Sequence, residues 1–134
     1  MAEPDDPIFT LAAAVPGAVA VRAAAGDVLF RPEDPCRGFI ALRSGAIRVS
    51  VTSPGGRELI LYRVRPGEIC LQTFACLAQG RLYAAEGVAE SPVEAALLPP
   101  PAFDRIMAED APFRSAVLGS VANRFADLEG VVQA

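Results

Sequence analysis

The side chains with the most distinctive chemistry in this chain are three cysteines, Cys36, Cys70 and Cys76, in a sequence of 134 residues that contains no histidine. An odd number of cysteines without the spacing of a disulfide scaffold is typical of a reducing compartment, where thiols are free, reactive or metal-bound. The absence of histidine removes the residue most often used for acid–base catalysis and for metal or haem ligation. Two roles stay open for the cysteines, either as small buried hydrophobic residues or as a thiol-based redox sensor.

The spacing of the cysteines limits what they can do together. Cys70 and Cys76 flank a short predicted helix, and Cys36 lies in a turn between two early strands. A helix N-terminus favours a thiolate, so we expect Cys70 or Cys76 to be the reactive thiol and Cys36 to be the lesser candidate. A Cys70–Cys76 disulfide would need this segment to be a loop or to rearrange, because their spacing is neither i, i+3 nor i, i+4. Three thiolates are one short of the usual set for an iron–sulfur cluster, and the sequence identifies no cofactor.

Charge and composition exclude several classes of function. The net charge is −4, so this segment lacks the basic surface that would neutralise nucleic-acid phosphates. No apolar stretch reaches the roughly 20 residues that span a bilayer, and the acidic N-terminus is unlike a signal sequence. We therefore expect a cytoplasmic protein without a membrane partner. There is no Ser-His-Asp set, Walker loop or metal-ligand spacing, so we do not expect an enzyme.

The chemistry-bearing residues lie within a pattern of short predicted strands. Residues 19–98 contain brief apolar runs with two-residue alternation, separated by glycine and proline turns, which indicates strands of a sandwich or roll. A short helical lead-in within residues 5–21 precedes them, and a short helix at 102–108 and a longer helix from Pro112 follow. The predicted fold is mainly β with flanking helices, a jelly-roll-like double-stranded β-helix (the β-roll) followed by a long helix.

The long helix carries an apolar stripe that still runs where the chain ends. Its residues recur at multiples of three to four: Phe113, Val117, Val121, Leu128 and Val132. The stripe follows the last strand of the predicted roll, so little of the core of the roll is left for it to cover. We therefore predict that it forms a homodimer interface. The alternative is that the helix folds back on the roll.

An ordered set of glycine-punctuated segments resembles the β-roll of the cyclic-nucleotide-binding superfamily. These segments are Gly26-Asp27-Val28-Leu29-Phe30, Gly38-Phe39-Ile40, Leu42-Arg43-Ser44-Gly45-Ala46-Ile47-Arg48-Val49, Gly56-Arg57-Glu58 and Pro66-Gly67-Glu68. The continuation through residues 103–114 resembles the helix junction of the bacterial CRP/FNR regulators, and the resemblance covers roughly residues 8–134. It implies a sensor roll at residues 1–110 and the start of a dimerisation helix at 111–134, with a DNA-binding helix-turn-helix domain absent from this chain.

The resemblance also assigns an effector site. In that family the phosphate-binding cassette follows the Pro-Gly-Glu turn, which corresponds here to residues 67–86, the cassette segment. A glutamate there holds the ribose, an Arg-Ser pair holds the cyclic phosphate and a short helix offers backbone N–H groups. The implied effector-binding residues are Gly67, Glu68, Cys70, Gln72, Thr73, Arg81, Tyr83 and Ala84.

Three positions depart from the family pattern. Gln72 stands where the ribose glutamate belongs, Leu82-Tyr83 stands in place of the Arg-Ser pair, and Glu129-Gly130 replaces adenine-contacting hydroxyls. A buried phosphate without a guanidinium is costly, and Arg81 would substitute only if the loop slipped by one residue. We therefore expect a sensor that does not answer to cyclic AMP in the usual way and that responds to another small molecule or to thiol redox state. The alternatives are a cyclic-nucleotide-binding domain with a shifted phosphate anchor, serving a channel, kinase or other partner, or a degenerate roll kept for assembly.

Overall fold

The structure is a computed structural model that describes residues 6–133, with side chains described as far as residue 130. Seven strands and four helices follow one another in this part of the chain. They are α1 (Pro7–Ala13), β1 (Val19–Ala23), β2 (Val28–Phe30), β3 (Phe39–Ser44), β4 (Ile47–Thr52), β5 (Glu58–Val64), α2 (Leu71–Gln79), β6 (Glu86–Ala89), β7 (Val93–Leu98), α3 (Pro100–Glu109) and α4 (Ala111–Gln133).

The strands form two antiparallel sheets, one in the order β1-β7-β3 and the other in the order β2-β6-β4-β5. Neighbours in the sheets are largely distant in sequence, as in a jelly roll. The predicted fold class, a mainly β roll with flanking helices and a long final helix, is confirmed. No helix within residues 6–133 is long and apolar enough to cross a membrane.

Strand β3 separates two hydrophobic cores because both of its faces are buried. Ile40 and Leu42 pack into the core between the two sheets. Phe39 and Ala41, which point to the opposite face, pack into a second core that includes residues of α1, α3 and α4. Side chains alternate across a strand, so an uninterrupted apolar run such as this one serves two layers at once.

Helix α4 completes the second core with its first two turns. Phe113 and Val117 are fully buried, and the Phe113 ring lies edge-on to Phe39 at 5.9 Å and to Phe103 at 6.4 Å. These two residues were expected at the dimer interface, but their side chains are instead core residues of this chain. The physical reason is that the sheet leaves Phe39 uncovered on its outer face, and the start of α4 covers it. Val121 is partly buried against the same core.

Gly38 sets the entry into β3. Its φ is +140°, and a Cβ at this position would lie 2.1 Å from the carbonyl oxygen of Leu98. Only glycine tolerates this combination of backbone conformation and close approach. The segment that carries Cys36 is thereby directed along the end of β7.

Candidate functional site

The cassette segment contains a helix whose start is buried. Cys70, in an extended conformation, is the N-cap of α2, and its side chain makes no capping hydrogen bond. The helix ends at Gly80, whose φ of +65° gives a left-handed C-cap. Burial raises the pKa of the Cys70 thiol, which is opposite to the effect expected from a helix N-terminus. Desolvation dominates here because the thiol is completely buried.

Gln72 occupies the position expected for the ribose-binding glutamate, and it bonds within the protein. Its side-chain carbonyl oxygen accepts a hydrogen bond of 2.9 Å from the backbone N–H of Ala84. Its own backbone N–H donates to the hydroxyl of Tyr62 at 3.2 Å. The cassette segment is therefore closed on itself at Ala84, one of the residues expected to hold an effector.

Tyr83 fills the place of the serine in the Arg-Ser pair with a much larger buried side chain. It is 4% exposed, its ring lies 4.8 Å from that of Phe30, and its hydroxyl accepts a hydrogen bond from the backbone N–H of Arg37 at 3.1 Å. Its backbone pairs with the β2–β3 loop, donating to the carbonyl of Asp34 and accepting from the N–H of Glu33. Burial raises the pKa of the Tyr83 hydroxyl, so it stays a neutral packing group.

The other expected effector residues are divided between core and surface. Thr73 is fully buried, where its hydroxyl donates to the carbonyl of Cys70 at 3.2 Å and accepts from the N–H of Ile40 at 3.5 Å. Arg81 and Ala84 are exposed. Gly67 adopts a φ of +87° in the turn before the cassette segment. The structure therefore brings Gln72 and Ala84 together but does not gather the predicted set around one cavity.

Glu68 connects the turn to the long helix. Its carboxylate accepts a hydrogen bond of 2.9 Å from the backbone N–H of Arg65 and lies 3.5 Å from the guanidinium of Arg124. Arg124 also donates to the carbonyl of Arg63 and stands 5.2 Å from the centre of the Tyr62 ring. This guanidinium is mostly buried, with 13% of its side chain exposed, so its partners on β5 and in the turn hold α4 in place.

A second connection lies one turn earlier on α4. The backbone N–H of Ile69 donates a buried hydrogen bond of 2.9 Å to the hydroxyl of Ser120. Ile69 is directly followed by Cys70, the N-cap of α2, so the start of the cassette helix and α4 share this bond. Sequence reasoning missed Ser120, Arg124 and Tyr62. The available signal was a serine and an arginine next to the apolar stripe of α4, which is unusual for a purely hydrophobic interface.

A cavity of about 180 Å³ opens where β5, the start of α2 and α4 meet. It is lined by Leu61, Tyr62, Leu71, Arg124, Asp127 and Leu128. The Nε of Arg124 has no hydrogen-bond partner among the described residues. The cavity is largely apolar, with the charged residues Arg124 and Asp127 at its wall, and it is smaller than the roughly 300 Å³ at which drug-sized ligand pockets begin.

The cysteines are arranged differently from expectation. Cys36 and Cys76 form a disulfide, with their Cα atoms 5.6 Å apart, and Cys70 is a free, buried thiol. The bond that the sequence spacing disfavoured, Cys70–Cys76, does not form, and Cys36, expected to be the lesser participant, is the partner of Cys76. A sequence separation of 40 residues hid this contact, which arises because the β2–β3 loop folds over α2. With this bond formed, Cys70 is the one free thiol among the described residues.

The exposed face of α4 carries a regular apolar row. Leu118, Phe125 and Leu128 are each more than half exposed, and together with Val121 they are spaced by three, four and three residues, as in a coiled-coil heptad. We name Leu118, Val121, Phe125 and Leu128 the α4 seam. Val132 continues this spacing, but its side chain lies outside the described residues. Two of the four seam residues were predicted, and Leu118 and Phe125 were missed.

Comparison with known proteins agrees with this architecture. The model of the cyclic nucleotide-binding domain family matches residues 20–110, and no curated protein matches by sequence. A CRP/FNR-family transcriptional regulator from Eubacterium rectale superposes with a TM-score of 0.70 at 23% identity, over 87% of this chain and 54% of that one. The N-terminal domain of a transcriptional regulator from Streptomyces coelicolor gives a TM-score of 0.66 at 26% identity, over 98% of this chain and 88% of that domain.

A third similar structure is a c-di-GMP responsive global regulator of Xanthomonas campestris, with a TM-score of 0.75 at 20% identity over 90% of this chain and 59% of that one. This chain spans about half the length of the first solved relatives, at 54% and 51%. Its match to the family model ends at residue 110, directly before α4 begins. The chain belongs to the cyclic nucleotide-binding domain family, and its fold is similar to those of the solved transcriptional regulators named above.

Proposed function

We propose that this chain is the effector-sensing domain of a cytoplasmic CRP/FNR-type transcription regulator, and that it does not bind cyclic AMP in the usual way. The observation that carries the proposal is the closed cassette segment. Gln72 bonds to the N–H of Ala84. The large, buried side chain of Tyr83 stands at the position where the family has a serine. Neither residue supplies the charge that a cyclic phosphate needs.

The electrostatic argument is separate from the steric one. Leu82 stands where the family places its phosphate-binding arginine, and it is an exposed apolar residue. The nearest arginine in sequence, Arg81, is also exposed. A phosphate taken out of water without a guanidinium partner loses several kcal/mol of hydration free energy.

The junction of β5, α2 and α4 is the better candidate for sensing. Its cavity is bounded by Tyr62 and Arg124, and Arg124 already connects Glu68 to α4. A ligand with an acceptor group at Arg124 would compete with these contacts and change how α4 is held. Such a ligand acts as an effector only if α4 has a second arrangement and the ligand binds the two arrangements with different affinities.

We further propose that α4 forms a homodimer through the α4 seam and leads to a DNA-binding helix-turn-helix outside this chain. The exposed heptad spacing of Leu118, Phe125 and Leu128 supports pairing with a second copy. The net charge of −4 agrees with a role in which another domain contacts DNA.

Calorimetric titration with cyclic AMP and cyclic GMP tests the proposal. We expect no binding at concentrations that saturate a micromolar site. A dissociation constant at or below about 1 μM for either nucleotide would contradict it, and would favour a cyclic-nucleotide domain with a shifted phosphate anchor.

A further inference from the structure

We propose that Cys36 and Cys76 form a redox-active site that exchanges with a low-molecular-weight thiol, and that the state of this bond sets how firmly α2 is held against the roll. The inference rests on the proposed function in two respects, the reducing cytoplasm that favours a cycling bond and the last step, where α2 influences α4. The covalent tie itself joins the β2–β3 loop to the cassette helix across 40 residues of sequence.

The two sulfur atoms differ in access. Cys76 is 2% exposed, whereas Cys36 is only partly buried on the loop. An external thiolate therefore reaches the Sγ of Cys36 first, because nucleophilic attack on a disulfide needs an open approach to one sulfur. Cys70 is fully buried within the same core, so it is shielded from an external reagent.

The exchange balances with one class of co-reactant. The thiolate bonds to the Sγ of Cys36, the Cys36–Cys76 bond breaks, and the sulfur of Cys76 leaves as a thiolate and takes up a proton. A second thiolate then attacks the co-reactant sulfur of the mixed disulfide, which releases Cys36 and the oxidised co-reactant as its own disulfide. The protein gains two electrons and two protons, and the reverse sequence restores the bond.

The site already offers a hydrogen-bond acceptor for one thiol of the dithiol product. The Sγ of Cys76 lies 3.2 Å from the carbonyl oxygen of Thr73, one turn earlier in α2. A thiol at Cys76 therefore has an acceptor already in place. In a reducing compartment, disulfides that persist are commonly those that sense or transfer electrons, which favours a cycling bond over a purely structural one.

The bond is connected to α4 through helix α2. Without it, α2 keeps the hydrogen bonds from Ile40 to Thr73 and from Ala84 to Gln72, together with its apolar contacts. One of these is the edge-on approach of Phe74 to Phe103 in α3 at 6.3 Å. The N-terminal end of α2 follows Ile69, which is bonded to Ser120 of α4. Loosening α2 therefore acts on the same junction that holds the long helix.

The experiment follows the bond and the helix in the same 134-residue chain. The protein is equilibrated with mixtures of reduced and oxidised glutathione, and the thiols are alkylated and located by mass spectrometry. We expect Cys36 and Cys76 to gain labels together as reduced glutathione increases, while Cys70 stays unlabelled until the protein is unfolded. Amide hydrogen exchange in α2 is expected to rise about tenfold on reduction, with β4 unchanged.

Two variants distinguish the effect of the Cys36–Cys76 bond from a general loss of stability. Cys36→Ser cannot form the bond and should show the fast α2 exchange under all conditions. Cys70→Ala keeps the bond and should respond to glutathione like the wild type. The proposal is overturned if the oxidised chain lacks the bond, if glutathione does not reduce it before unfolding, or if α2 exchange is the same in both states. None of these outcomes bears on cyclic-nucleotide binding, which is measured separately.

Discussion

The side-chain carbonyl of Gln72 and the backbone N–H of Ala84 are joined by a hydrogen bond of 2.9 Å across the cassette segment. In the family pattern these two positions face the ligand. Here the two groups bond to each other, and the buried ring of the neighbouring Tyr83 packs against the core residue Phe30. The carbonyl of Gln72 and the N–H of Ala84 are thus paired with each other in the folded chain.

Restoring the family residues should restore nucleotide affinity. We expect the triple variant Gln72→Glu, Leu82→Arg, Tyr83→Ser to bind cyclic AMP at least about tenfold more tightly than the wild type, because it supplies a guanidinium for the phosphate and a carboxylate for the ribose. Calorimetry measures the change. The matched control carries Leu82→Glu in the same background and should not bind, and equal affinities in the two variants would show that the register of the cassette segment is wrong.

The hydroxyl of Ser120 should contribute more to stability than that of an exposed serine on the same helix. Ser120→Ala leaves the buried N–H of Ile69 without an acceptor, which costs about 1–3 kcal/mol in the free energy of unfolding. Ser115 lies on α4 with an exposed side chain, so Ser115→Ala should change the stability by less than about 0.5 kcal/mol. Urea unfolding compares the two, and equal losses would argue against the Ile69–Ser120 connection.

The local sequence pattern was sufficient to predict the strands, but it was not sufficient to predict which residues distant in sequence contact each other. Alternation and turn residues predicted the strand runs of the roll because each run is specified by neighbours in sequence. The Cys36–Cys76 pairing depends on how the β2–β3 loop crosses α2, and no periodicity reports this. The sequence places Cys70 at a helix terminus but does not report its complete burial, which raises the pKa of its thiol.

The stripe of α4 illustrates the same limit. Residues spaced by three to four mark a buried face, yet they do not say which surface covers it. Phe113 and Val117 turn towards Phe39 in the chain's own core, whereas Phe125 and Leu128 remain exposed. The buried residues and the exposed residues lie on neighbouring faces of the helix. Sequence spacing alone does not distinguish these faces, so it predicted a single stripe.

The α4 seam should control association without controlling folding. We expect Phe125→Glu to weaken dimerisation by at least about tenfold, as measured by sedimentation, with the circular dichroism of the roll unchanged. Asn123→Glu, on the opposite face of the helix, should associate like the wild type. Phe113→Glu should instead unfold the roll, because it places a charge in the core. A wild type that stays monomeric at high concentration would contradict the dimer proposal.

Stability should fall at alkaline pH. Burial, followed by the neighbouring Cys70, raises the pKa of Tyr62, and burial also raises the pKa of the Cys70 thiol above its ordinary value of 9.0. The unfolded chain therefore loses these protons first, so the stabilisation is complete below about pH 9 and is lost as the pH rises towards the folded-state values. Between about pH 8 and pH 10 we expect the free energy of unfolding to drop by roughly 1 kcal/mol.

Cys70→Ala provides the control for this pH dependence. It removes one of the titrating groups, so its decline with pH should be shallower than that of the wild type. Both tyrosines should ionise only as the protein unfolds. Tyrosinate absorbance that rises in the folded protein at the ordinary tyrosine pKa would contradict the burial argument.

The most direct test of the closed cassette segment follows the Ala84 amide itself. Amide resonances of the 134-residue chain are recorded during titration with cyclic AMP, together with the side-chain amide of Gln72. We predict that both signals stay unshifted at nucleotide concentrations that saturate a micromolar site, because their hydrogen bond is part of the folded structure. Saturable shifts of both signals would show that the nucleotide displaces this bond, and would contradict the proposal that the sensor has given up its usual ligand.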